Sequence, residues 1–378
     1  MHVMIVTQLP ADRARPEGGV VAVVANLIRG LVGRGVEVTA VEWGSSRSDA
    51  FDDTELGCRV LPLPLRHPAF LMNLLSSARE VSRIEQAVRP DLSHVEMVPE
   101  LGWHLKGRRV YSVHGVAHRD EWLYGRAQRF VTAPVAAATF YLARKRFRHI
   151  ILHNRGELDA TGPMHHAILH EIPNAIEPGF LEIRRKGFAP AVLFVGQLSR
   201  LKNTLGLVHV AAQVVRKVPD VQFRLAGPWS RRDRPSNRVA VERFCEEHGL
   251  RDVVKFLGPL SRDDIMEELG GAACLVLPSF QEMAPAVISE AMAAGVPVAA
   301  SRVTGIPYMV DDGKTGMLFD PHDEDEIASC VVRLLTDHSL RERMGEASRK
   351  RVAGSNDPDA VAKRHIEVYR QVIADGSP

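Results

Sequence analysis

Cysteine is scarce in this chain and never falls in paired spacing: Cys58, Cys245, Cys274 and Cys330 are scattered over 378 residues. That excludes a disulfide scaffold and a CxxC-type metal or redox motif, and it points to free, buried thiols in a reducing compartment. An excess of charge of one sign is also missing. Forty-eight Lys and Arg against 46 Asp and Glu leave a net charge of +2, so nothing calls for nucleic acid or another polyanion. No apolar run is long enough to span a bilayer. Met1 leads straight into a short strand with no signal-like segment, so a cytoplasmic protein is expected. There is no short repeat and no low-complexity tract. The densest acidic cluster, Asp323 to Glu326, directly precedes a periodic helix from Ile327 and reads as its N-terminal charge cluster rather than a metal site.

What is present is enough apolar residue, 45%, to fill complete cores, over a length that suits two or three domains. Short apolar strands alternate with helical patterns. Strands are expected at His2–Thr7, 36–42, 92–95, 110–113 and 150–152, with a helix over 20–32 closed by Gly33 and Gly35. The pattern breaks at Pro173-Asn174-Ala175 and the polar run 184–187, then restarts with a strand over 191–195 and a helix over 204–217. Further strands are expected at 221–226, 253–257, 273–277 and 296–300, before an amphipathic helix over 358–373. Such alternation implies parallel, doubly wound sheets. The expected division is residues 1–180 with 358–378, and residues 189–357.

The densest signal runs from Pro278 to Pro297. An apolar strand ends at Pro278-Ser279, and a helix with Pro285 at its first position stops at Gly295. Glu282 stands in the loop and Glu290 deeper in the helix. The N–H groups of Ala286, Val287 and Ile288 are expected to lack intrahelical partners and to form an anion site. An anion site flanked by carboxylates suits a nucleotide-linked sugar: the helix end takes a diphosphate, and the carboxylates accept from hydroxyls.

This stretch resembles the E-x7-E signature of retaining glycosyltransferases with the GT-B fold, especially family 4, and the resemblance extends over nearly the whole chain. It implies an α/β architecture of two Rossmann-like domains facing a central cleft, with the C-terminal helix crossing back to the first domain. It implies that Glu290 binds the donor's ribose and Glu282 lies against the donor sugar. Gly196 to Lys202 resembles the family's G-R-L-x-x-x-K segment, in which the cations neutralise the diphosphate. Lys202 holds the Lys position, whereas Gln197 replaces the Arg. A neutral amide donates but does not offset charge. Arg200 either supplies that charge or is a solvated loop cation. Gly18-Gly19, before the first helix, resembles the glycine loop beside the diphosphate. His114, in Val113-His114-Gly115, resembles the His that contacts the donor sugar's outer hydroxyl, while His94 matches a structural P-D-x-x-H element. Tyr308 stands where the family's G-G-x-P-E loop is acidic, and Met283-Ala284-Pro285 replace its usual Gly-Phe-Gly.

The resemblance thus implies a metal-independent hexosyltransferase with no cofactor. Its donor is a nucleotide diphosphate sugar, UDP-sugar favoured, and its acceptor a carbohydrate, lipid-linked or natural-product hydroxyl. A hydrolysing nucleotide-sugar 2-epimerase and a non-catalytic nucleotide-sugar binding module remain as alternatives. Phe70 to Leu75 and the basic run Arg144, Lys145, Arg146 and Arg148 either dock a membrane face at the inner leaflet or belong to core-packing helices with a solvated face. Trp103, Trp122 and Tyr124 are candidate acceptor-site aromatics, and Trp229 with Arg231, Arg232 and Arg234 either meets the nucleobase or coats a loop.

Overall fold

A computed structural model describes residues 1–10, 19–65, 70–115, 133–185, 190–230 and 235–376. The chain divides into two compact units: residues 1–10, 20–175 and 358–376 form the first, and 176–357 the second. Residues 176–180, which the sequence reading assigns to the first unit, therefore belong to the second. The reason is Phe180, which is fully buried in the second unit's core.

The first unit carries a sheet of eight described strands: β1 His2–Thr7, β2 Glu37–Trp43, β3 Phe51–Asp53, β4 Cys58–Leu63, β5 Leu92–Glu96, β6 Arg109–Ser112, β7 His149–Leu152 and β8 Ile168–Glu171. Their order is β3-β4-β2-β1-β5-β6-β7-β8. Only β3 pairs antiparallel, with β4. The central strands are buried along their length, as parallel strands covered on both faces must be. The helices are α1 Gly19–Gly33, α2 Phe70–Val88, α3 Ala133–Arg144 and α4 Gly156–Thr161. α1 buries Val23, Val24, Leu27, Ile28 and Leu31, the i, i+4 spacing of one apolar face. The strands β3, β4 and β8 have no counterpart in the sequence reading. β3 is three residues long, and β8 alternates half-buried and exposed residues rather than forming an apolar run.

The second unit carries β9 Ala191–Val195, β10 Gln222–Ala226, β11 Val254–Gly258, β12 Cys274–Leu277, β13 Val298–Ser301 and β14 Gly316–Phe319. All pairings are parallel, in the order β11-β10-β9-β12-β13-β14. Numbered within the unit, that is 3-2-1-4-5-6, the Rossmann order, whose direction of winding reverses between β9 and β12. Its helices are α5 Gly179–Glu182, α6 Thr204–Val214, α7 Pro235–Glu247, α8 Arg262–Gly271, α9 Ala286–Ala293, α10 Ile306–Met309, α11 Glu324–Thr336 and α12 His338–Ala353. Asp323 caps α11 by accepting from the Glu326 N–H, so the acidic cluster is a helix start. All four cysteines are free and buried, and burial pushes the Cys274 thiol up to about 12.

The last helix, α13 Pro358–Asp375, returns to the first unit and buries Val361, Ala362, His365, Ile366, Val368, Tyr369 and Val372 there. It lies close against α1 at Gly30, where a Cβ would stand 3.2 Å from the Pro358 carbonyl oxygen. The Tyr369 hydroxyl reaches His94 Nδ1 at 2.7 Å in the core, so His94 is a packing residue. Among the described residues no helix is long and apolar enough to cross a membrane. Of the basic run on and after α3, Arg144 is not solvated. It is buried, lies 4.3 Å from the Tyr141 ring centroid and donates to the Thr161 carbonyl at 2.6 Å. Its stem and charge are thus used inside the unit.

At the end of β10, Gly227 adopts φ +137°, and a Cβ there would stand 2.0 Å from the Gly196 carbonyl oxygen. Gly227→Ala is therefore expected to destabilise the second unit by at least about 1–3 kcal/mol, the usual cost of a disfavoured backbone conformation. The check is a lower urea midpoint with wild-type secondary structure.

Candidate functional site

In a doubly wound sheet the crevice outside the carboxyl ends of the strands, at the reversal of winding, is where loops diverge and leave room for a ligand. In the second unit those loops follow β9 and β12. The β9–α6 loop is held from three sides. The Leu198 N–H donates to the Pro228 carbonyl at 2.8 Å, and Ser230 N–H donates back to Leu198 at 3.0 Å. Asn203, left-handed at φ 54°, caps α6 by accepting from the Gly206 N–H, and its amide donates to the Pro321 carbonyl at 3.0 Å. Leu201 O accepts from the Phe280 N–H at 2.9 Å, which ties this loop to the one after β12.

That tie brings Lys202 and Glu282 together. The Lys202 ammonium bonds Glu282 Oε1, and the Ser279 hydroxyl donates to the same oxygen at 2.8 Å. Glu282 is buried, and its backbone carbonyl accepts from the Gly305 N–H at 3.1 Å. Gln197 and Arg200 are exposed on the same loop, and Gly196 is half-buried at its start. Helix α9 begins at Ala286, one residue later than the sequence reading places it, because Pro285 is extended (φ −64°, ψ 114°) and acts as the cap. The Ile288 N–H is not left open as expected: it donates to the Pro285 carbonyl at 3.1 Å, a tight first turn. Ala286 and Val287, both half-buried, open the helix.

Glu290, one turn further along, is buried, and its Oε1 accepts from Arg262 Nη2 at 2.9 Å. Arg262 has no place in the sequence reading, because it stands on another helix with no motif around it. The strictest signal available was physical: a carboxylate buried in a helix needs a cation or several donors.

The first unit collects a second set. Glu96, the last residue of β5, is buried with its carboxylate between two imidazoles: His114 Nε2 at 2.6 Å from Oε2 and His94 Nε2 at 3.2 Å from Oε1. Burial works to raise its pKa, but His94 and His114 outweigh it and hold the carboxyl far below the usual carboxylate range. An ionised carboxylate only accepts, so His114 donates from Nε2. The His153 ring lies 4.2 Å from that of His114, and His365 lies 6.0 Å from His94. His153 and His365 donate from Nδ1 to the carbonyls of Ile172 and Val361, and their buried Nε2 atoms have no partner among the described residues. Burial lowers the pKa of His94, of His153 and of His365, the last to about 4. The cavity that Glu96, His114, His153 and His365 share with Asn174 and Val24 is about 10 Å³, at the lower limit for one water. Glu96 and this histidine cluster were not foreseen. The sequence singles out His114 and His94 one at a time, but nothing in it groups them with His153 and His365, although His114 and His153 both follow strands that neighbour in the sheet.

Gly19 is the first residue of α1 and is exposed; Gly18 lies outside the described residues, as do Trp122, Tyr124, Arg231, Arg232 and Arg234. Trp103 is half-buried. Trp229 is half-buried beside Phe256, with Arg238 5.5 Å from its ring centroid. Tyr308 is exposed and its carbonyl accepts from Arg351 at 2.8 Å.

The histidine cluster makes stability depend on pH with a definite sign. Unfolded, a histidine protonates near pH 6.5, whereas His365 in the folded chain does so near 4. Between those values the unfolded state binds the extra proton. Stability is then full above about pH 6.5 and falls with decreasing pH, by up to about 1.4 kcal/mol per pH unit per histidine. His365→Gln should flatten this acid-side slope by about one proton, read from urea midpoints across the window.

Two family models meet almost end to end on this chain. "Glycosyltransferase Family 4" matches residues 17–180 and "Glycosyl transferases group 1" matches residues 182–351. A D-inositol 3-phosphate glycosyltransferase from Corynebacterium kroppenstedtii is 32% identical over 192 residues, 50% of this chain and 42% of that protein. An alpha-D-kanosaminyltransferase from Streptomyces kanamyceticus is 33% identical over 183 residues, 48% of this chain and 46% of that protein. The matched stretch thus spans less than half the length of either relative. Among solved structures, sucrose-phosphate synthase from Thermosynechococcus elongatus has a TM-score of 0.85 at 20% identity, covering 99% of this chain and 100% of that one. HepE from Anabaena, in complex with UDP and glucose, has a TM-score of 0.74 at 16% identity, covering 97% and 99%. At these identities the likeness is one of fold. With both models matched and the Rossmann-ordered sheet in place, the chain belongs to the group 1 glycosyltransferases of family 4 type, with the GT-B fold.

Proposed function

We propose that the protein is a retaining, metal-independent hexosyltransferase that moves one sugar from a UDP-sugar to a hydroxyl of a carbohydrate or natural-product acceptor. The observation that carries the proposal is the arrangement at the reversal of winding in the second unit. A lysine, a buried glutamate and the start of α9 come together there, with a second buried glutamate one turn along the helix. Lys202 and the N–H groups of Ala286 and Val287 suit a diphosphate, whose negative charge grows as it departs. Glu290 accepts from the ribose hydroxyls, and Glu282, which has Oε2 left over, accepts from a hydroxyl of the sugar. Gly196, Gln197 and Arg200 border the same loop. His114, oriented by Glu96, serves the sugar's outer hydroxyl. The bond from the anomeric carbon to the phosphate oxygen breaks as the acceptor oxygen bonds on the same face, and the acceptor's proton passes to the leaving phosphate. No protein base is required.

The choice of UDP is supported by HepE, solved with UDP-glucose. The choice of a small hydroxylated acceptor is supported by relatives named for D-inositol 3-phosphate and for kanosaminyl transfer. The test begins with thermal shifts against UDP, GDP, ADP and dTDP. A ligand at a hundred times its Kd stabilises by about 2.7 kcal/mol, a shift of several degrees. UDP should give the largest. Donor consumed without acceptor would favour the epimerase alternative, and donor bound but never consumed would favour a binding module.

Glu290→Ala should weaken UDP binding by about tenfold or more, the worth of a hydrogen bond to a charged group. Glu282→Ala should lower kcat more than it weakens UDP, measured by titration calorimetry beside initial rates.

A further inference from the structure

Arg262 opens α8 immediately after a reciprocal capping box, in which Ser261 accepts from the Asp264 N–H and the Asp264 carboxylate accepts from the Ser261 N–H. The box fixes the helix start and with it the direction in which Arg262 leaves. Its guanidinium is then held at three places. It lies over the Phe180 ring, 4.6 Å from the centroid. Nε donates to Glu177 Oε2 at 2.9 Å, and Nη2 donates to Glu290 Oε1 at 2.9 Å. Only 13% of the side chain is exposed. Burial works against its charge, but Glu290 and Glu177 outweigh it and make Arg262 more basic than an ordinary arginine. A planar guanidinium held by two carboxylates, with a ring beneath it, has little freedom to turn.

What this does to Glu290 matters more than what it does to Arg262. Among the described residues Arg262 is the partner of the Glu290 carboxylate, through one oxygen. The charge of a buried carboxylate is thereby kept, its side chain is fixed, and Oε2 stays open as an acceptor. We propose that Arg262 is a positioning residue for the donor's ribose, holding Glu290 Oε1 so that Oε2 accepts from the ribose hydroxyls and the unit distinguishes ribonucleotides from 2′-deoxyribonucleotides. This rests on the reading of Glu290 as the ribose ligand. Arg262 acts only through Glu290 and touches no part of the donor. Glu177, engaged through Nε, helps to set the plane of the guanidinium.

The experiment compares UDP, GDP and ADP with their 2′-deoxy counterparts by titration calorimetry, using the full chain. Wild type should bind the preferred ribonucleotide at least about fivefold more tightly than its deoxy form, the loss of one hydrogen bond to a charged acceptor. Arg262→Gln should bring that ratio close to one. Combined with Glu290→Gln it should be no worse than Glu290→Gln alone, because residues acting through one another are not additive. Should Arg262→Gln fail to fold, Arg262→Lys serves. Its single ammonium keeps the charge but does not span both carboxylates, so the ratio should fall while circular dichroism stays that of wild type. A ribose preference unchanged in either folded variant, or fully additive losses in the double variant, overturns the role of Arg262 and leaves the donor site standing. Failure of wild type to bind any of the six nucleotides overturns the donor-site reading and this inference with it.

Discussion

A carboxylate taken out of water must be met by a cation or by several donors, and three buried glutamates of the two units are arranged around that need. Glu282 meets Lys202 and Ser279, Glu290 meets Arg262, and Glu96 meets His94 and His114. Lys202, Arg262 and His114 each arrive from a different element than the carboxylate they meet, whereas Ser279 and His94 come from the same loop or strand. The contrast is Glu157, fully buried at the start of α4. One of its oxygens accepts from the His153 backbone N–H and the other has no partner among the described residues. Burial there pushes the carboxyl well above its usual range, so it stays protonated. Donors close by decide whether a buried glutamate keeps its charge, and only a charged one accepts strongly from a hydroxyl.

The placement of these groups follows from topology. In the second unit the sheet reverses its winding between β9 and β12, so the loops after these two strands lean apart and leave a crevice. Lys202 lies in one loop and Glu282 in the other, and the Leu201–Phe280 backbone bond stops them from drifting apart. A backbone bond anchors this geometry better than side chains could, because it carries no rotamer entropy of its own. In the first unit the corresponding reversal lies between β1 and β5, and Glu96 ends β5.

The first unit's cluster shows a different balance. His94, His153 and His365 are kept neutral by burial, and the carboxylate they surround is kept ionised. Of these rings only His94 reaches the carboxylate, beside His114; His153 and His365 spend their Nδ1–H on backbone carbonyls. The tautomers follow from the partners: carbonyls at Ile172 and Val361 require Nδ1–H, and the Glu96 carboxylate requires Nε2–H on His114. The terminal helix α13 takes part through His365 and Tyr369, so the last turns of the chain help to set the environment of a residue on β6–α3 connecting chain.

Much of this was legible in advance. The strands His2–Thr7 and Ala191–Val195 read directly from apolar runs, the start of α13 from Pro358, and the Glu282 and Glu290 pair from a strand, a break and a helix in succession. Local periodicity and turn chemistry carry such features, since they depend on neighbours in sequence. The strands β3 and β8 were not legible, because they are short and carry no apolar run of their own, and β4 and β14 have no counterpart among the strands the sequence suggests. Nor were Arg262 beside Glu290, Glu96 beside His114, or the inward turn of Arg144. The sequence alone determined which charged and polar residue types stand on which elements. Only the tertiary structure decided which cation meets which carboxylate, because side chains far apart in the chain become neighbours only through the order in which parallel strands and their helices pack.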